Sequence, residues 1–328
     1  MDVMTIDKSV TKELASPQYD FLKTNPDLKS IALLTLSGSH AYGTNNENSD
    51  IDLRGVLIED KKYLFGLNHF EQFENKETDT VIFGLRKFIS LCAKANPNTL
   101  ELLGTDDDSI VYISEAGRRL KENAQLFFSK RVAASFGNYA NSQLRRLENA
   151  LYHDAYDQER KQKHLATTLT KQIEHFNSSY TPLQKLHIYP DGDGLFFDVD
   201  LKKYPVRDFV NIYSEMNQII RTYEKLNHRN KKKSTDHLNK HIMHLVRLLL
   251  TGADILKGNG IITKRTAEHE FLMSLRAGVF ELDEVFTLIK QQQEKFALAV
   301  SLTDLPEQPD MGKIEQLMMS LYEESLMS

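Results

Sequence analysis

One cysteine serves the whole 328-residue chain, so no intrachain disulfide can staple it. Cys92 lies in an apolar run from Phe88 to Ala93 with helical spacing, which predicts a small buried side chain rather than a nucleophile. Long hydrophobic runs are missing too. No stretch approaches the roughly 20 apolar residues of a membrane-spanning helix, and residues 1–8 carry acids instead of a leader's apolar segment. The expected compartment is the cytoplasm, with no membrane partner. Positive charge is not in surplus: 41 Lys and Arg stand against 46 Asp and Glu, which excludes a broadly basic nucleic-acid coat and leaves room only for a local basic groove. Internal repeats and low-complexity tracts are absent.

What is present suffices for real cores, since 41% of the residues are hydrophobic and the length accommodates two domains. The chain is organised around residues 30–55. Ile31, Leu33, Leu34 and Leu36 form a short apolar run that ends at Ser37, Gly38 and Ser39, as a buried strand delivering a tight turn would. Backbone N–H groups freed at such a turn can face an anion. After a polar loop, Asp50 and Asp52 open a second run with Leu53, Val56, Leu57 and Ile58. A strand's period of two puts both carboxylates on one face and turns Ile51 into the core. Two acids held so close call for a cation or solvent, and an all-oxygen donor set without His or Cys at ligand spacing favours Mg²⁺ or Mn²⁺ over zinc.

Several better-known motifs fail at these residues. Gly38 and Gly43 have a P-loop's spacing, but Thr44 and Asn45 stand where its lysine should follow. Neither Ser37 nor Ser39 has the flanking glycines of a nucleophile elbow. A calcium-binding EF-hand starting at Asp50 would meet Arg54 and Lys61 at positions that need oxygen ligands.

What survives is a strand, Gly38-Ser39, a spacer with Gly43 and Thr44, and the run Ser49, Asp50, Ile51, Asp52, Leu53, Arg54. This resembles the nucleotidyltransferase superfamily that includes DNA polymerase beta, where glycine-serine and Asp-x-Asp occur at this separation. With Asn96 to Leu103 added, it is similar more narrowly to the YcgL or RlaP-like proteins, nucleotidyltransferases linked to RNA repair. The expected fold is α+β: the resemblance makes residues 1–110 a small mixed-sheet catalytic domain, and the change to helical periodicity between Gly104 and Ser114 makes 111–328 a mostly helical domain with one β-hairpin. It implies transfer of a nucleoside monophosphate from an NTP to an acceptor hydroxyl, with RNA as the expected partner. Two divalent ions would be held by Asp50, Asp52 and a third carboxylate. Asp79 is the candidate for that third acid, with Glu71, Glu74 and Glu77 as rivals. Gly38, Ser39, Gly43, Thr44 and Ser49 would form the nucleotide-binding turn. Transfer to a protein or small molecule, or a catalytically idle antitoxin-like binding role, are the alternatives; no protein partner is indicated.

Elsewhere the pattern gives local expectations. Residues 5–24 read as helical and interrupted at Pro17, residues 69–75 and 79–83 as extended, and residues 85–92 as a helix. Asn98 or Thr99 would cap a short helix that carries Glu101, an acid expected to serve the site or face solvent. His40 and Tyr42 would line the pocket or pack the turn, and Arg54 would make a structural ion pair. Long helices follow over 129–152, 157–176, 205–226, 234–256, 265–275, 282–302 and 311–326, with a hairpin at 186–201. That hairpin holds a second Asp-x-Asp, Asp198 and Asp200, which lacks a glycine-serine turn and reads as exposed. On the helix after Ser234, Leu238, Ile242, Leu245 and Leu249 form an apolar face. His237, Lys240, His241, His244 and Arg247 form a cationic one, which would bind triphosphate or a nucleic-acid backbone or else face solvent; if it binds phosphate, Lys240 and Arg247 are the expected ligands. His237 and His241 have a zinc helix's spacing, but Leu238 replaces its glutamate. Lys231 to Lys233 would add a salt-sensitive attraction for RNA or solvate a loop.

Overall fold

The computed structural model describes residues 6–46, 49–155, 165–167, 169–170, 181–191, 194–229 and 235–327. They form two compact units, one of Met1–Gln143 with Asn239–Ser328 and the other of Leu144–Leu238. The expected catalytic stretch, 1–110, lies inside the first.

The first unit opens with α1 (Lys8–Leu14), capped by the Asp7 carboxylate, and α2 (Phe21–Thr24) beyond Pro17. Then come β1 (Ile31–Ser37), α3 (Gly38–Tyr42), β2 (Asp52–Leu57), α4 (Lys61–Leu64), β3 (Gln72–Asn75), β4 (Thr80–Gly84), α5 (Leu85–Ala93), α6 (Pro97–Leu103), β5 (Ile110–Ile113) and α7 (Glu115–Glu122). α8 (Arg131–Ala155) runs on into the second unit. The sheet has the order β3-β4-β2-β1-β5. It is mixed: β1 pairs antiparallel with β2 and β5, β2 lies parallel to β4, and β3 returns antiparallel to β4. The fold is thus α+β.

β1 sits inside the sheet and is buried continuously from Ala32 to Leu36, which explains why its residues are apolar on both faces except Thr35, whose hydroxyl donates to the Arg54 carbonyl at 3.2 Å. Leu33, Leu53, Leu57 and Ile82 are almost wholly inaccessible, and each contributes about 1.5–3 kcal/mol of burial. β5 was not expected; four residues are too few for alternation to register, and its sheet partner is supplied by β1, 75 or more positions earlier in the chain. Asn96, not Asn98 or Thr99, caps α6 by accepting from the Thr99 N–H, because Pro97 already fixes the first helical position.

In the second unit, β6 (Gln184–Asp191) and β7 (Gly194–Asp200) form the expected antiparallel hairpin, followed by α9 (Val206–Arg229). Ile188 packs with Ala166, Leu169, Leu186, Leu195, Met216 and Ile220. Asp198 is exposed beside Tyr189, whose phenol it pushes above its ordinary value. The expected helix over 157–176 lies mostly outside the described residues, as do Lys231 to Lys233 and Ser234.

α10 (Thr235–Leu256) brings the chain back to the first unit, where α11 (His269–Ala277), α12 (Leu282–Leu302) and α13 (Met311–Met327) complete it. α13 is tied to the sheet side through Glu59. This buried carboxylate accepts from the Leu85 and Arg86 N–H groups at 3.0 and 3.3 Å, where the positive end of α5 favours it, and from the Tyr322 hydroxyl at 2.8 Å. Among the described residues, no helix is long and apolar enough to cross a membrane.

Candidate active site

The site is built where β1 ends. Ser37 and Asp52 are the last paired residues of the β1–β2 ladder, and beyond them the chain leaves β1 as α3. Asp50 and Ile51 consequently have no ladder partner and precede the strand. The expectation that Asp50 and Asp52 share a strand is corrected here: Asp50 belongs to the incoming loop and is exposed, while Ile51 is buried as expected. Both acids still reach the phenol of Tyr19, which burial, then Glu13, Asp52 and Asp50, push above its ordinary value.

Gly38 is required twice over at this junction. Its φ of +58° is strained for any residue with a side chain, and a Cβ would sit 2.2 Å from Asp52 Oδ2. The glycine-serine turn and the second acid therefore touch. Ser39 is buried in the first turn of α3. Gly43 ends that helix with φ +67°, its N–H bonding back to His40, while the Thr44 N–H reaches the Ser39 carbonyl at 2.9 Å.

Asp79 comes to Asp52 through the parallel pairing of β2 with β4, in which Leu53 faces Thr80. Its φ of +41° is one of four positive values among the described non-glycine residues. Arg54 holds that conformation, donating to the Leu53 carbonyl at 2.9 Å, to the Asp79 carbonyl, and to Asp79 Oδ1 at 2.9 Å. Burial, then the charge and hydrogen bond of Asp79, push the Asp52 carboxyl up to about 6, with Arg54 and Lys240 opposing them. Of the rival acids, Glu71 is paired with Lys87, and Glu74 and Glu77 are exposed on β3 and the β3–β4 turn. Lys240 projects from α10 as an exposed cation close enough for Asp52 to feel it.

Other expected ligands have different surroundings. Arg247 is buried and donates to Glu101 Oε1 at 2.6 Å, with its guanidinium 3.5 Å from the Tyr42 ring centre. The Tyr42 hydroxyl donates to Glu101 Oε2 at 2.6 Å. Glu101 therefore neither joins the acids nor faces solvent, and Arg247 is engaged by protein instead of facing open solvent. His244, edge-on to Tyr42, is pushed down to about 3 by burial and by Arg247, Lys240, His241 and Arg276, so it adds no charge to the cationic face. The Ser49 hydroxyl closes the loop on Asn46, accepting from its N–H at 2.9 Å and donating to its side chain at 3.0 Å. The Thr44 hydroxyl is buried with no hydrogen-bond partner among the described residues, and Arg276 donates to the Thr44 carbonyl. The Lys264 side chain runs past Gly43, its Cγ 3.4 Å from where a Cβ on that glycine would stand, and its ammonium pairs with Asp108. Arg276 and Lys264 escaped sequence reasoning because nothing in their flanks marks them. Glu101 had a signal, as a lone acid in the run Leu100 to Leu103.

Among the described residues, no group of three or more His, Cys, Asp or Glu side chains forms a ready metal cage. The donor chemistry nevertheless fits a hard divalent ion: Asp52 and Asp79 are oxygen donors in mutual contact, and the raised Asp52 carboxyl marks a place short of positive charge.

A family profile, RlaP, RNA repair pathway DNA polymerase beta family, matches residues 12–185. The chain belongs to this family. The match spans the five-stranded sheet, Gly38 and all three acids, and it makes the protein a polymerase beta-like nucleotidyltransferase by descent. No curated protein matches. Among solved structures, a nucleotidyltransferase-like protein from Exiguobacterium sibiricum 255-15 aligns with 97% of this chain and 78% of its own at 8% identity. Its TM-score of 0.26 is too low to carry an argument.

Proposed function

We propose that this member of the RNA repair pathway DNA polymerase beta family transfers a nucleoside monophosphate from an NTP to an acceptor hydroxyl at an RNA end. The observation that carries the reading is the contact between Gly38 and Asp52, with Asp79 beside them, because it places a bare backbone turn against an acid pair. Asp50, Asp52 and Asp79 would hold Mg²⁺ or Mn²⁺, two ions, which when bound neutralise triphosphate charge and ease ionisation of the acceptor hydroxyl.

The chain's own groups position the reactants. Backbone N–H groups at Gly38 and Ser39 face the triphosphate, approached closely because Gly38 has no side chain, while Gly43, Thr44 and Ser49 shape the turn behind it. Lys240 adds positive charge on the opposite side. The acceptor oxygen forms a bond to the α-phosphorus, the bond from that phosphorus to its bridging oxygen breaks, and pyrophosphate leaves. The hydroxyl proton passes to Asp79, the most exposed member of the contacting acid pair.

The test is incubation of the protein with Mg²⁺, each α-labelled NTP, and RNA, protein and small-molecule acceptors. Label on RNA is the expected outcome, and Asp50→Ala or Asp52→Ala should abolish it while the protein stays folded. Full activity in the Asp50→Ala/Asp52→Ala double variant overturns the reading; label on protein or a small molecule overturns its acceptor.

A further inference from the structure

The turn that carries Gly38 and Ser39 is only five residues long, too short to hold its own position. Its last residue, Tyr42, is fixed from two other elements. The hydroxyl donates to Glu101 on α6, and the ring lies under the guanidinium of Arg247 on α10, which in turn donates to both Glu101 oxygens at 2.6 and 3.5 Å. Thr105 and Thr263 donate to the Glu101 carbonyl at 3.2 and 3.4 Å, so the acid itself is held in place. Glu101 and Arg247 side chains are 7% and 6% exposed.

Two consequences follow from helical geometry. Tyr42 lies four residues, about 6 Å of helix, from Gly38. Lys240 lies seven residues before Arg247 on α10, two turns away on the same face. One buried cluster therefore sets both the axial position of the glycine-serine turn and the rotation of the helix that presents Lys240. We propose that Tyr42, Glu101 and Arg247 are positioning residues that hold the Gly38-Ser39 turn and Lys240 in register across the site, Arg247 acting through Tyr42 and Lys240 rather than on phosphate. The electrostatic influence of Lys240 on Asp52 places the two sides within reach of each other.

This rests on the nucleotide site proposed above, and the experiment separates the two. Binding of each Mg·NTP in turn is measured by calorimetry for the wild type, Tyr42→Phe, Glu101→Gln, Lys240→Ala and the double variant Tyr42→Phe/Lys240→Ala. Tyr42→Phe keeps the ring under Arg247 and removes only the hydroxyl, so it remains folded even where Glu101→Gln does not. The expected result is a loss of about tenfold in affinity for Tyr42→Phe and for Lys240→Ala, with the double variant no more than about twofold worse than either. Such non-additivity over two turns of helix is what a shared register produces and a purely structural role does not. Multiplied losses in the double variant, or an unchanged affinity in Tyr42→Phe, overturn the positioning role and leave the nucleotide site standing. A wild type that binds none of the four overturns both.

Discussion

Gly38 and Asp52 meet so closely that the smallest possible side chain at residue 38 would lie 2.2 Å from the Asp52 carboxylate. Gly38→Ala must therefore displace Asp52 as well as strain its own backbone. The expected cost is about 1–2 kcal/mol of stability, read by urea denaturation, together with loss of Mn²⁺ binding, read by electron paramagnetic resonance of the free ion. Unchanged Mn²⁺ binding would contradict the assignment of this contact to the metal site.

Asp52 should destabilise the folded protein once its carboxyl ionises. Its folded carboxyl is raised to about 6 from an ordinary 3.8, so the folded state binds the proton more tightly than the unfolded state. Stability should fall as pH rises from about 4 to about 6 and stay lower above that range. Asp52→Asn should flatten this dependence and raise stability at pH 7 by on the order of 1 kcal/mol, after discounting for solvent screening at this half-buried group. Thermal melts in chelator across that pH range provide the measurement, and a variant less stable than wild type at pH 7 would refute it.

Arg247 and Glu101 form a buried pair whose members depend on each other. Arg247→Met alone should cost about 3–5 kcal/mol, because Glu101 is left charged and buried, whereas Arg247→Met/Glu101→Leu should recover a large part of that loss. Chemical denaturation of the two variants decides it; equal costs would mean the pair is not isolated from solvent in solution.

Glu59 and Tyr322 join the sheet side to α13. Tyr322→Phe should cost about 1–3 kcal/mol, since a hydrogen bond to a buried carboxylate is lost, and Glu59→Gln should lose more by weakening the start of α5 as well. Additive losses in the double variant, measured by urea melts, would show that the two do not interact.

Cys92 should be inert to an aromatic disulfide reagent in the native protein and react stoichiometrically after denaturation. It is fully buried, and burial pushes its thiol well above the ordinary range.

Much of the candidate site was legible in sequence because its geometry is local. Gly38, Ser39, Asp50 and Asp52 fall within fifteen residues, and strand-turn-strand spacing speaks directly to where they lie. Asp79 was legible as an acid opening a β-rich run, but that it, rather than Glu71, Glu74 or Glu77, lies against Asp52 follows only from the parallel pairing of β2 with β4. Helical periodicity located α10 yet could not say which cations on it were free. Arg247 meets Glu101 across 146 residues, and no local pattern encodes such a meeting. β5 was lost for the same reason, being a strand only because β1 lies beside it.

The first unit is discontinuous in sequence, interrupted by residues 144–238. On the ribosome the five strands and all three acids emerge long before Lys240 and Arg247, and Glu59 waits 263 residues for Tyr322. Emerging chains would thus expose an assembled sheet and an unopposed acid pair while Glu101 still lacks its arginine. Competence for the proposed nucleotide binding should accordingly arise as a late event in synthesis, after α10 has been made, and not when the five-stranded sheet first forms.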